Sequence, residues 1–414
     1  MFSLFSTKLY EKIETMKRFP LLFCVFLTLL IPGSSLHAKA PGASAGEPES
    51  RHVFRLPFKE KGFYLRVLVP LEGSEVTFKK EPDFGDHKII RGAIPAAREE
   101  KDFLCFAWDV SELKLYLDLN RNLDLTDDPS GVFQGQGKKY QQSFHNVRFK
   151  SINSQVPLLY QVTLSFSDYR IYGIPLRCLI NVRSGWQGDI EFYGKKWQLR
   201  VTDNLDGIIG PEDVLTLRPY KEGQEEPVDF SSYDRLDPPQ RIFFDGHDYD
   251  LGFGFESGAG GSQLVATFTE SPSPLGTLEM KGIHIRRLVL RGGKDSSSSL
   301  VLLDSPSNEV LIPARVYNRQ RIFLDEGEIF RVLLAYSRNE ISVIQDKVTP
   351  LKLGIPLTHT VEMNRRGTEL MLDYQLVGVG GERYINYGRN PGNRPTFAIY
   401  RGENKIGSGS FEYG

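Results

Sequence analysis

Period-two alternation constrains this chain more than any other feature. Runs such as "GFYLRVLVP", "LKLYLDL", "YQVTLSF", "IHIRRLVLR" and "ELMLDYQLVG" place apolar residues at every second position. Gly, Pro, Asn or Asp interrupts them every few residues. Successive side chains of a strand point to opposite faces, so this spacing makes one dry face and one wet face. Almost no window keeps an apolar stripe at the 3.6-residue helical period. The expectation is an all-β protein: two or three antiparallel β-sandwich or barrel-like domains after a cleaved signal peptide. A length of 414 residues suits two or three cores better than one. The formal net charge is −1, which argues against nucleic acid as a partner.

The first 40 residues read as an export signal. Lys17 and Arg18 precede "LLFCVFLTLLI" (Leu21 to Ile31), an apolar run bounded by Pro20 and Pro32, and Ala38-Lys39-Ala40 follows. A charged start, a short apolar centre and small residues at the exit fit signal cleavage. The run is too short for a bilayer, which takes about 20 residues, so the mature chain is expected to have no transmembrane span. Met16 makes a better signal start than Met1. The expected location is secreted, periplasmic or otherwise in the cell envelope. Residues 41–51 read as a flexible tether, 52–217 as an N-terminal β domain and 218–240 as an acidic, proline-bearing linker. Residues 241–340 read as a middle β domain, and 341–414 as a C-terminal β-sandwich-like domain. Two Gly-centred stretches, "EFYGKKWQLRV" and "FFDGHDYDLGF", each predict a tight hairpin. After signal removal Cys105 and Cys178 remain, either as a disulfide or as two free thiols in strands.

Two loops carry the candidate chemistry. "LDLNRNLDLTDDPSG" sets Asp118, Asn120 and Asn122 at alternate positions after a strand, with Asp124, Thr126, Asp127 and Asp128 behind them. Hard cations such as Ca²⁺ take six to eight oxygen ligands, and such spacing can turn oxygens toward one centre. With Asp118 as position 1, Asn120, Asn122, Asp124 and Thr126 fall on positions 3, 5, 7 and 9. The stretch resembles the loop of EF-hand-like, dockerin-type calcium sites. It departs at Leu123, where the turn takes Gly, and at Pro129, where the bidentate acid belongs; Asp127 or Asp128 can substitute for that acid only in an altered geometry. Asx-turns capping a short helical turn explain the same residues without an ion. "TDNLDGIIGPED" puts Asn204 at 3, Asp206 at 5, Gly207 at 6 and Asp213 at 12, with Thr202 at position 1 and Asp203 beside it. The metal set expected from sequence is therefore Asp118, Asn120, Asn122, Asp124, Thr126, Asp128, Asn204, Asp206 and Asp213, with Ca²⁺ as the ion.

Nothing in the chain identifies a reaction. It has no H-E-x-x-H, C-x-x-C or P-loop. "DGHDYD" reads as a turn, and Trp108 and Trp197 as core; Trp186, in "SGWQGD", is the tryptophan expected to be most exposed. As a whole the chain resembles uncharacterised secreted bacterial all-β proteins that carry such acidic loops and a C-terminal "GGERY…FEYG" stretch, and the resemblance implies no activity. The expectation is an exported, non-catalytic, calcium-stabilised protein that binds an extracellular glycan or protein or serves envelope architecture. The alternative is an extracellular carbohydrate-active hydrolase with a carboxylate pair.

Overall fold

The alternating runs become strands, and no α-helix occurs among the described residues. The computed structural model describes residues 50–72, 75–95, 103–138, 140–151, 156–220, 235–258, 261–293, 299–325, 332–386 and 395–411. The expected signal peptide, most of the 41–51 tether and positions 221–234 of the 218–240 linker lie outside the described residues. Among the described residues no helix is long and apolar enough to cross a membrane.

Both Gly-centred stretches are two-residue hairpins. Gly185–Phe192 returns as Lys195–Thr202 through Tyr193 (φ 48°) and Gly194 (φ 76°). Arg241–Phe244 returns as His247–Gly258 through Asp245 (φ 51°) and Gly246 (φ 86°). Positive φ at both loop residues is the type I′ geometry, whose twist matches the strands it joins.

Two smaller sheets face each other near the start of the chain. One holds Ile89–Pro95, Phe103–Asp109, Lys114–Leu117 and Val132–Gln134. The other runs Leu65–Pro70, Arg177–Val182, Leu159–Ser167, Gln141–Lys150, Gln136–Lys138. Phe106 and Trp108 of the first meet Phe166 of the second, with ring centroids 4.9 and 5.2 Å apart. A long sheet begins at the edge with Val214–Pro219 and continues through Lys195–Thr202, Gly185–Phe192, Arg51–Lys59 and Gly261–Glu270 into the second half of the chain. Among the described residues the named strands pair antiparallel apart from Arg241–Phe244 with Ser299–Asp304 and Leu275–Lys281 with Val348–Lys352, and Lys80 forms an isolated parallel bridge with Asp124.

Arg51–Lys59 couples the two halves. Residues Arg51 to Pro57 pair with Gly261–Glu270, and Phe58 and Lys59 pair with Gly185–Phe192. One apolar cluster accordingly extends from Leu56 through Trp108, Tyr160, Trp197 and Ile242 to Phe323. A second contains Phe243, Leu290, Tyr317, Ile341 and Tyr384. Burying each such aromatic contributes about 1.5–3 kcal/mol.

All three tryptophans lie in the core. Trp108 and Trp197 do so as expected, but Trp186 departs from its expected exposure: it is 1% exposed, and its indole N–H donates to the Ser262 carbonyl at 3.3 Å. Gly185 beside it explains the approach, since a Cβ there would sit 2.5 Å from the Val201 carbonyl oxygen. Cys105 and Cys178 are free thiols on different sheets.

Candidate metal centre

Residues 203–213 connect two paired strands at the edge of the long sheet, with Thr202 opposite Val214. Leu205 anchors the loop in the main core at 3% exposure, with φ 85°. Gly207 (φ 75°) supplies the left-handed turn that its place in the sequence suggests. Asn204 Oδ1 accepts the Asp206 N–H at 3.0 Å, and Asp206 Oδ1 accepts the Ile208 N–H at 2.9 Å. Asp213 reaches back across the loop: Oδ1 accepts from Asn204 N at 2.7 Å, and Oδ2 from Gly210 N at 2.5 Å.

This folding brings three carboxylates together. Asp203, Asp206 and Asp213 each place one oxygen within 4.8 Å of the other two. Oxygens that share a Ca²⁺ at 2.3–2.6 Å can lie no more than about 5 Å apart, so the spacing fits a common hard cation. Asp203 is 1% exposed and Asp213 2%. Asp203 Oδ1 accepts the Leu205 N–H at 2.5 Å, whereas its Oδ2 is buried with no partner. Burial, reinforced by Asp206, pushes the Asp203 carboxyl up to about 7. Burial, reinforced by Asp203, pushes Asp213 up to about 8.

A fourth group comes from the facing sheet. The Tyr160 hydroxyl, on Leu159–Ser167, is buried without a hydrogen-bond partner. Burial first, then the negative field of Asp203 and Asp206, the close approach of the hydroxyl to the Asp203 carboxyl, and the field of Asp213 raise its phenol well above the ordinary value. Unpaired buried polar groups cost free energy that a bound ion would recover. The donor set is all oxygen, which suits Ca²⁺ better than Zn²⁺.

The sequence points to Asn204, Asp206 and Asp213 here, with Thr202 at position 1. The carboxylate that converges belongs to Asp203, one residue on. The strand runs through Thr202, which is itself buried at 3%. The adjacent acid was the available signal; Tyr160, some 40 residues away in the chain, had none.

The other loop is organised differently. Asp118 is fully buried, and its two oxygens accept the N–H groups of Asn122 (3.1 Å) and Leu123 (2.9 Å). Asn120 Oδ1 accepts from Asn122 N, Asn122 Oδ1 from Asp124 N, and Asp124 Oδ1 from Thr126 N, at 3.0, 2.7 and 2.8 Å. The amides of Asn120 and Asn122 donate to the two oxygens of Asp127, at 3.1 and 2.7 Å. Asp128 Oδ2 accepts from Leu119 N at 3.0 Å and precedes the short 3₁₀ turn Pro129–Gly131. Leu123 adopts φ 67°, the left-handed position that favours Gly. Asp118, Asn120, Asn122, Asp124, Thr126 and Asp128 thus form a ladder of side-chain turns closed on Asp127, and no three of its carboxylates converge as Asp203, Asp206 and Asp213 do.

Set against known proteins, the chain matches no family model, no curated protein and no solved structure.

Proposed function

We propose that this is an exported, non-catalytic β protein with a binding or envelope-structural role, stabilised by a calcium ion held by Asp203, Asp206 and Asp213. The observation that carries the ion is the buried, unpartnered Asp203 Oδ2 among three converging carboxylates. Three acids gathered under an apolar layer repel one another, and a divalent ion converts that repulsion into a staple. The loop spans an edge hairpin of the long sheet, and Tyr160 belongs to the five-stranded sheet, so the ion would tie the two.

The hydrolase alternative gains no support from this site. A glycosidase pair needs carboxylates open to a sugar ring, and Asp203 and Asp213 are sealed. A shallow groove elsewhere, along Gly252, Gly254 and Thr267, is lined by one acid, Glu256, which is paired with Arg55 at 2.9 Å. The export and calcium parts are tested separately. Cell fractionation with the first 40 residues deleted tests export, and retention of the protein inside the cell is the expected result. Thermal unfolding in calcium and in chelator tests the ion; superimposable curves would rule the staple out.

A further inference from the structure

A second unfilled demand lies on the solvent face of the five-stranded sheet, at the end where Tyr64 sits. Phe63 fixes the position of that residue. Its side chain is 4% exposed beneath the Arg200 guanidinium, and its N–H donates to the Arg183 carbonyl at 3.2 Å. Three arginines then gather on the Tyr64 ring. The guanidinium carbons of Arg66, Arg183 and Arg235 lie 5.1, 5.9 and 5.0 Å from its centroid. Cation–π attraction orders such side chains without neutralising them.

They come from three separate parts of the fold. Arg66 lies on Leu65–Pro70, cross-strand from Asn181, and Arg183 follows Asn181 by two residues and so shares its face. Asn181 carries a buried side-chain oxygen with no partner. Arg235 is pinned by its neighbour Leu236, which exchanges two 2.8 Å backbone hydrogen bonds with Leu215, and by its own carbonyl, which accepts from Arg321 Nη1 at 2.6 Å. Among the described residues none of the three arginines forms an ion pair with a carboxylate. Burial, and after it the nearby Arg66, lower the Arg235 pKa against an opposing pull from Tyr64. Arg177 continues the basic face along the same strand. Cations gathered at one place raise the local concentration of anions.

We infer that Tyr64, Arg66, Arg183 and Arg235 form a binding site for the carboxylate or sulfate group of an acidic polysaccharide. Ring-stacked guanidinium groups keep their N–H forks free, and a planar or tetrahedral oxyanion accepts such forks in pairs. The choice of a glycan as carrier rests on the binding role proposed above; the oxyanion site itself stands apart from the ion centre.

Calorimetry with the full-length protein provides the test, using dextran sulfate, polygalacturonate, neutral dextran and phosphatidylserine vesicles as probes, each in calcium and in chelator. The two acidic polysaccharides should bind and neutral dextran should not, with chelator making no difference. Arg66→Gln and Arg183→Gln alter exposed side chains, so both should melt like the wild type, while each weakens binding about tenfold. Arg66→Lys/Arg183→Lys keeps the charge but loses the fork, and should recover only part of the affinity. Wild-type affinity in the double Gln variant, or no binding by either acidic polysaccharide, would overturn the site. Binding of the vesicles but not the polysaccharides would overturn the glycan. Loss of binding in chelator alone would overturn its independence from calcium.

Discussion

Loop 118–128 and loop 203–213 are built from the same residue types, yet their oxygens are committed differently. In the first, Asp118, Asn120, Asn122 and Asp124 each spend a side-chain oxygen on a backbone N–H two to five residues ahead, and the two amides hold Asp127. In the second, Asp203 retains a buried oxygen with no donor, and Asp206 and Asp213 stand within 4.8 Å. A loop whose carboxylates answer their own backbone is stable as a turn. In loop 203–213 the acids also accept backbone N–H groups, but they stand so close together that protons, or the cation proposed above, must relieve their repulsion. Counting oxygen side chains favours the first loop; burial and convergence favour the second.

Four measurements distinguish the two loops, in order of decreasing size. Calcium at about a hundred times its Kd should stabilise the protein by about 3 kcal/mol relative to chelator, and Asp213→Asn should erase that difference. A calcium response that survives Asp213→Asn would move the ion elsewhere. Asp118→Ala removes the acceptor of the half-buried Leu123 N–H and one of the two acceptors of the Asn122 N–H, and should cost about 1 kcal/mol, equally with and without calcium. A cost seen only in calcium would make loop 118–128 the ion site.

The third effect is pH-dependent. Asp203 and Asp213 titrate at about 7 and about 8 in the folded, ion-free protein, against an ordinary 3.8. The folded chain then binds more protons than the unfolded chain across this window. The contribution of these two acids to the stability of chelated protein should therefore be greatest near pH 4 and be lost as pH rises toward 8. Calcium must displace those protons, so the gap between the calcium and chelator melting curves should widen from pH 5 to pH 8. A constant gap would separate the ion from these acids. The smallest effect belongs to Tyr160→Phe. Removing an unpartnered hydroxyl should barely move the melting temperature of chelated protein. The tyrosine-sensitised emission of Tb³⁺ bound in place of calcium should fall, and unchanged emission would place the ion away from Tyr160.

Different parts of the structure were legible to different depths. The hairpins at Tyr193-Gly194 and Asp245-Gly246 could be read directly, because a positive-φ pair is a local requirement that Gly announces. The short turn Pro129–Gly131 was legible for another local reason, the preset φ of Pro at its first positions. Trp186 was misjudged because its flanking Gly and Ser look like a surface turn. Here Gly185 is small in order to let Val201 approach, so the same residue type serves close packing. The arginines on Tyr64 left no trace in the sequence, since positions 66, 183 and 235 are adjacent only after three chain segments meet.

By itself the sequence determined the β character of the chain, the positions of its tight turns and the supply of acidic oxygens in two loops. These follow from φ/ψ preferences and period-two alternation, which act over a few residues. Tertiary structure decided which acids lose their water and their donors. Desolvating Asp203 and Asp213 takes the core beneath Leu205 and the facing strand of Tyr160, and neither lies within reach of a local pattern.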